Sequence, residues 1–303
     1  MNKRLGGKVA VVTGSGRGLG RAEALAFATE GAKVVVNDLG GGTDGKGKAT
    51  SPADEVVAEI KKMSGEAVAN YDSVTTPEGG ERIIKTALDA FGRLDILVNN
   101  AGILRDKSIY NMAPEDWDAV LKVHLYGTFY CTRPACAWFR QQRSGRIINT
   151  SSHAGRGNRG QANYSAAKEG IVGFTRTVAL DMGRYGVTCN AIRPVAATRL
   201  TLNPELMDSY ARMGIDVEAT KAYIMKNMPE DVASLVVFLA TDEAANINGR
   251  VFTVQHGEIG LECLLKEDNV ITKDGSWTVE ELVRVIPTAL ASDMVNPAPA
   301  ERG

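Results

Sequence analysis

Tyr164 and Lys168 stand four residues apart in QANYSAAKEG (161–170), shortly after a serine pair, Ser151–Ser152. On a helix, residues four apart share one face, with about 5–6 Å between their Cβ atoms. An ammonium held there beside a phenol favours the phenolate, so the pair is suited to moving a proton. The same spacing also occurs on plain helix surfaces. The rest of the chain has to decide between the two.

Composition narrows the choice. At 303 residues the chain could hold one large domain or two small ones. Hydrophobic residues make up 44% and charged residues 23%, enough apolar material for a sizeable core. Lys+Arg is 35 against Asp+Glu 36, so no overall field favours nucleic acid or an anionic membrane. Cys131, Cys136, Cys189 and Cys263 show neither disulfide nor metal-ligand spacing, which predicts free thiols in a reducing compartment and no metal. The N-terminal apolar run is too short for a signal peptide, and no stretch nears the ~18 apolar residues of a membrane span. A soluble, cytoplasmic protein is expected.

The elements that must position the pair follow from alternation. Short apolar runs, KVAVVT (8–13), KVVVND (33–38), AVANYD (67–72), DILVNN (95–100), RIINTS (146–151), VTCNAI (187–192) and VFTVQ (251–255), read as strands. Helical patterns lie between them, near 18–30, 52–63, 77–91, 114–141, 161–183 and 229–241. Unbroken apolar strands need a sheet covered on both faces. The alternation predicts an α/β fold of Rossmann type, a doubly wound, mostly parallel seven-stranded sheet forming one domain over 5–257. Three segments break the rhythm: a Gly- and Lys-bearing loop at 40–52, an insertion at 199–228 and a tail at 258–303. The loop is expected to be solvated and mobile, with Lys46 and Lys48 reaching a ligand phosphate as the lesser reading. In the tail, CLLKEDNVITKDGSW suggests a hairpin, and Thr278 with Glu281 suggests a capping box opening a short helix.

TGSGRGLG (13–20) joins the first strand to the first helix. Glycines there let backbone approach a pyrophosphate seated on the positive end of a helix. Gly14, Gly18 and Gly20 are the candidates, with Arg17 and Leu19 between them. Asp38 ends the second strand, where a carboxylate accepts from both adenosine ribose hydroxyls and repels a 2′-phosphate. Arg17 could instead pair with that phosphate, but Asp38 sits where the ribose belongs, so NAD is expected over NADP. Asp72, followed by Ser73, ends the third strand within reach of an adenine amino group. In NNAG (99–102), Asn99 and Asn100 either tie strands together or touch the ligand, while Ala101 and Gly102 let backbone come close to it.

TGSGRGLG, NNAG, a serine near the end of the fifth strand and YSAAK, in that order, resemble the short-chain dehydrogenase/reductases over residues 5–257. VVVNDLGG (34–41), VANYDSV (68–74), NNAGILRDKS (99–108), VHLYGTF (123–129) and QANYSAAK (161–168) are similar to the (3R)-hydroxyacyl-CoA dehydrogenase branch found in peroxisomal multifunctional enzymes, also known for 17β-hydroxysteroid dehydrogenase. The resemblance implies an NAD-dependent oxidoreductase turning a secondary alcohol into a ketone or the reverse, with (3R)-3-hydroxyacyl-CoA as the first substrate. A hydroxysteroid, a 3-oxoacyl-carrier-protein and a sensor that has lost catalysis are the alternatives.

It further implies that Tyr164 takes the alcohol proton as hydride leaves for the nicotinamide, while Lys168 holds the nicotinamide ribose. Bringing a tyrosine from about 10 to neutrality needs roughly 4 kcal/mol. A unit charge at ~4 Å and an effective dielectric of ~20 supplies about 4 kcal/mol. Lys168, helped by the cationic nicotinamide, would suffice. For the serine that orients the substrate oxygen, spacing to the tyrosine picks Ser151 and the pattern SSHAG picks Ser152. Strand neighbours face opposite sides, and a deletion is absorbed more easily in a loop than in a buried strand, which selects Ser152. His124 replaces an asparagine that commonly bends a helix and holds a relay water, and a backbone-bonded structural histidine is expected. RPVAATR (193–199) departs from the usual Pro-Gly, leaving Thr198 to reach the carboxamide or phosphate. Leu202, Leu206, Met207, Tyr210 and Met213 either line an acyl or ring pocket or pack on the core. A homodimer or homotetramer through the helices at 114–141 and 161–183 is implied.

Overall fold

A computed structural model describes residues 3–212, 214–264 and 269–292. One compact unit ends at Glu262 and a second begins at Cys263. The first is built on eight strands: β1 (Val9–Thr13), β2 (Lys33–Asn37), β3 (Ala67–Asn70), β4 (Ile96–Asn99), β5 (Gly145–Thr150), β6 (Val187–Pro194), β7 (Val251–Gln255) and β8 (Glu258–Leu261). Their order is β3-β2-β1-β4-β5-β6-β7-β8; the first seven run parallel and β8 runs antiparallel to β7.

Period-two alternation divides the core into two layers. Ala10, Val12, Val34, Val36, Ile96, Val98 and Ile148 pack on one side. There they meet α1 (Gly18–Thr29), α2 (Ser51–Lys62) and α9 (Pro229–Ala240). Val9, Val11, Val35, Leu97, Ile147 and Cys189 point the other way. They meet α3 (Pro77–Phe91), α5 (Gly127–Gln142) and α6 (Ala162–Gly183). The chain order reverses between β1 and β4, which opens a crevice at the strands' carboxyl ends, where ligands of such sheets bind.

The eighth strand corrects the expected seven and carries the sheet past residue 257. EIGL is short and mostly exposed, so it has no buried run to betray it. It pairs through a tight turn in which Gly257 takes φ 69° and Gln255 faces Glu258. The hairpin is therefore β7–β8. No strand forms at 269–277, and residues 265–268 of the expected hairpin lie outside the described residues. The capping box is present: Thr278 accepts from the Glu281 N–H at 3.2 Å and Glu281 accepts from the Thr278 N–H at 2.8 Å, opening α10 (Val279–Ala289).

The stretch read as one helix over 114–141 is interrupted. α4 (Pro114–Leu121) passes through a π-helical turn, Lys122–Tyr126, into α5. Such widened turns gather at functional sites, and this one carries His124. The insertion folds as α7 (Pro204–Arg212) and α8 (Val217–Met225), the latter capped by Asp216, whose carboxylate accepts from the Ala219 N–H at 2.9 Å.

The 40–52 loop is exposed at most positions, as expected, but its first half is tied to the fold. The Leu104 N–H donates to Thr43 O at 2.9 Å, and Arg105 Nε donates to Asp44 O at 2.9 Å. Gly40 takes φ +77°, and a Cβ there would lie 1.9 Å from Ala49 O. Lys46 pairs with Asp44 at 3.5 Å. Among the described residues no helix is long and apolar enough to cross a membrane.

Candidate active site

The crevice is a continuous cleft bordered by the first glycine turn, the carboxyl ends of β2, β3 and β4, residues 41–45, the π-helical turn and the segment after β6. Gly14, Arg17, Gly18, Leu19, Asp38, Asp72, Ser73, Ala101, Gly102, Tyr164, Lys168 and Thr198 all border it. Gly20, Asn99 and Ser152 do not, and each has a physical reason.

Gly20 is a packing position. A Cβ on it would lie 2.4 Å from Asn100 Nδ2 and 2.5 Å from Gly14 O. Asn100 in turn donates to Thr13 O and Gly14 O at 3.0 and 3.2 Å, which fixes the turn. Asn99 ties strands together, one of the two roles open to it in the sequence, and does not border the cleft. Its Nδ2 donates to Asn149 Oδ1 at 2.8 Å and Thr132 Oγ1 at 3.0 Å, while its Oδ1 is buried with no hydrogen-bond partner among the described residues. Ser152 lies beside Tyr164, where its hydroxyl lowers the proton affinity of the phenol.

Helix α1 suits an anionic ligand. Its N-cap, Arg17, makes no side-chain capping bond, and its first turn holds no carboxylate, so the positive end of the helix faces the cleft. Gly14 and Gly18 take φ +65° and +55°. Asp38 is held by two backbone donors, Gly16 N–H to Oδ2 at 2.8 Å and Gly40 N–H to Oδ1 at 2.6 Å. Gly16, absent from the sequence-based set, is as necessary as its neighbours, because a Cβ there would sit 2.8 Å from the Asp38 carboxylate. Asp72 is anchored by Arg82 at 2.6 Å and by Asn70. Thr198 packs its methyl toward Gly18. These features fit the pyrophosphate and ribose of a dinucleotide.

Sequence reasoning passed over Arg199. It borders the cleft beside Asp38 and Arg17, and burial with the neighbouring Arg17 charge lowers its proton affinity. Its one signal was its place next to Thr198. Leu202, Leu206, Met207 and Tyr210 do not border this cleft; Met207 is buried, and burial raises the proton affinity of Tyr210. Met213 lies outside the described residues.

At the far end, β5 and α6 bring the serines, Tyr164 and Lys168 together. Ser151 is buried, and its hydroxyl donates to the Lys168 carbonyl at 2.8 Å. Ser152 points the opposite way, toward Tyr164, while also accepting from the Ala154 N–H at 3.1 Å. Lys168 Nζ donates to Thr150 O at 2.5 Å and lies 5.4 Å from the centre of the Tyr164 ring. His124 Nε2 lies 2.8 Å from Ile103 O and 3.1 Å from Ile103 N, the backbone-bonded role expected of it. Its ring stands edge-on to Tyr164 with centroids 5.1 Å apart. A Cβ on Gly102 would strike that ring at 2.5 Å, so this glycine serves the histidine.

The electrostatics depart from expectation. Burial pushes Tyr164 up to about 12, Asp106 adds to the rise, and only the Ser152 bond opposes it. Burial also pulls Lys168 down to about 7. Desolvation outweighs any help from Lys168 at Tyr164, and the same loss of water weakens the hold of the ammonium on its proton. Burial and the Lys168 charge keep His124 well below the usual imidazole range.

The chain matches the short chain dehydrogenase family over residues 8–208. It is 51% identical over 260 residues to mouse peroxisomal multifunctional enzyme type 2, covering 85% of this chain and 33% of that longer one. It is 42% identical over 292 residues to a hydroxyacyl-CoA dehydrogenase of Mycobacterium tuberculosis, covering 93% and 88%. It is 45% identical over 260 residues to a 3-oxoacyl-[acyl-carrier-protein] reductase of Synechocystis, covering 83% and 97%. The crystal structure of a short chain dehydrogenase from Mycobacterium avium superposes with a TM-score of 0.81 at 42% identity, covering 98% of each chain. The protein belongs to the short-chain dehydrogenase/reductases, oxidoreductases that act on CH–OH groups of small molecules with a nicotinamide dinucleotide.

Proposed function

We propose that the protein interconverts (3R)-3-hydroxyacyl-CoA and 3-oxoacyl-CoA with NAD. The observation that carries the chemistry is the pairing of Tyr164 and Lys168 at one end of a cleft whose other end holds Asp38, with Ser152 beside Tyr164. The substrate class rests on the stretches shared with the hydroxyacyl-CoA branch and on the relatives that carry that name.

When bound, the dinucleotide supplies the hydride acceptor or donor. Ser152 orients the substrate oxygen, and Tyr164 exchanges the proton with it. A phenol that burial raises to about 12 holds its proton through neutral pH, ready to donate in reduction. To accept a proton in oxidation it needs added positive charge, which Lys168 supplies in its protonated form. Asp38, fixed by Gly16 and Gly40, presents its carboxylate to the adenosine ribose, favouring NAD.

Reduction of a 3-oxoacyl-carrier-protein with NADPH is the second reading. It is favoured by Arg17 and Arg199 flanking Asp38 and by the Synechocystis relative. The π-helical turn, α5 and α6 leave Tyr126, Phe129 and Leu180 exposed, and we place the homodimer or homotetramer contact there.

NADH formation with a (3R)-3-hydroxyacyl-CoA, beside its (3S) isomer and a 17β-hydroxysteroid, tests the proposal. Turnover of the (3R) thioester alone, with NAD preferred, supports it. Turnover of the steroid alone, or with NADP alone, removes the substrate or cofactor claim and leaves the proton chemistry standing.

A further inference from the structure

Arg193 is an unusual residue for the middle of a parallel sheet. It lies on β6, 2% exposed, and is the bulkiest of the fully buried side chains. A buried guanidinium persists only where its charge is met, and here three elements supply partners. Two do so through hydrogen bonds to the Nη atoms and one through an ion pair at Nε that lacks hydrogen-bond geometry. Nη1 donates to the Ser152 carbonyl at 2.5 Å and lies 3.4 Å from Ser151 Oγ. Nη2 donates to Glu169 on α6 at 2.8 Å, one residue beyond Lys168. Nε lies 2.7 Å from the carboxylate of Glu262, the residue after β8. Glu262 also pairs with Arg156 at 2.5 Å, on the turn that follows Ser152. Two cations and two carboxylates thus close a neutral cluster around residues 151–156.

The surroundings are built for it. Gly155 has no room for a side chain, since a Cβ there would lie 2.6 Å from Arg193 Nη1 and 2.8 Å from Glu169 Oε2. Glu262 is held in place by its own N–H, which donates to Val251 O at 2.9 Å. The extra antiparallel strand therefore does more than cover an edge, because it delivers a carboxylate to the far side of the serine loop.

We propose that Arg193, seated by Glu262 and Glu169, is a positioning residue that fixes the Ser152 backbone and so aims the Ser152 hydroxyl at Tyr164. This rests on Ser152 and Tyr164 acting as proposed above. Arg193 borders neither Tyr164 nor the cleft, and its effect passes through the Ser152 carbonyl.

The test uses the full chain and the variants Arg193→Met, Arg193→Lys and Glu262→Gln. It reads oxidation of (3R)-3-hydroxybutyryl-CoA by NAD, NADH affinity by fluorescence, and amide hydrogen exchange at residues 153–157. A displacement near 1 Å of a reacting group costs about 10²-fold. The expected result is a fall in kcat of that order for Arg193→Met, with NADH affinity kept and exchange at 153–157 accelerated. Arg193→Lys and Glu262→Gln should lie between it and the parent. Unchanged kcat and unchanged exchange would overturn the proposal, as would joint loss of kcat and NADH affinity in all three variants. If Arg193→Met does not fold, Glu262→Gln decides on the same readouts. If the parent does not oxidise the thioester, the substrate assignment fails by itself. The exchange and NADH measurements, which need no substrate, then decide: faster exchange with affinity kept supports Arg193, and unchanged exchange refutes it.

Discussion

The two ends of the cleft are made of different material. At the dinucleotide end, backbone does the work: Gly14, Gly16 and Gly18 shape the turn, Gly16 and Gly40 hold Asp38, and Asn100 pins the loop. At the reacting end, side chains and burial do the work. Tyr164 and Lys168 are moved in opposite directions, to about 12 and about 7, by the same loss of water. The first kind of site depends on residues that admit close approach, which a sequence displays. The second depends on depth, which only the folded chain has.

If that division holds, substitutions at the two ends fail in different ways. Tyr164→Phe removes the proton carrier without touching the dinucleotide cradle. Turnover should fall about 10³-fold with NAD affinity within about twofold, measured by steady-state kinetics beside equilibrium binding.

Glu23 breaks the division from the other side. It lies on α1, wholly buried, and neither of its oxygens has a partner among the described residues. Burial raises it to about 8 from an ordinary value of 4.5. The native state then keeps a proton that the unfolded chain gives up, so stability is full below about 4.5 and declines until about 8. Thermal melts across that window should show a drop of a few kcal/mol at most, and Glu23→Gln should flatten it.

Gly20→Ala places a methyl against Asn100 and the Gly14 carbonyl. It should cost about 1–3 kcal/mol of stability and weaken dinucleotide binding, while leaving the Tyr164 pair in place. Calorimetry with NAD titration reads both. Asp38→Ala should give the smallest change, a loss of roughly tenfold in NAD affinity relative to NADP, the scale of one charge-assisted hydrogen bond. A preference left unchanged would remove the basis for NAD.

Much of this was legible before the fold was known. Seven strands followed from apolar runs, and the glycine turn followed from its place between a strand and a helix. The choice of Ser152 over Ser151 rests on strand alternation and the economy of shortening a loop, and it is Ser151 that borders the cleft while Ser152 lies beside Tyr164. What stayed hidden depends on contacts distant in sequence. The 40–52 loop looks soluble by composition, yet Leu104 and Arg105 tie it down. Asn99 could have faced a ligand or a neighbouring strand, and its bonds to Asn149 and Thr132, distant in sequence, show the strand contact. β8 is too short and too exposed to show a pattern. For Tyr164 the sequence displays the charge at ~4 Å but not the desolvation that opposes it.

The measurement that tests this account most directly is the ionisation of Tyr164, followed by NMR of carbon-13-labelled tyrosine against a Tyr164→Phe control. At pH 10 an ordinary tyrosine is about half ionised. Tyr164 should remain a phenol there in the protein alone, and addition of NAD should lower its proton affinity. A Tyr164 already half ionised below pH 10 without NAD would show that Lys168 alone activates it, contradicting the dominance of burial.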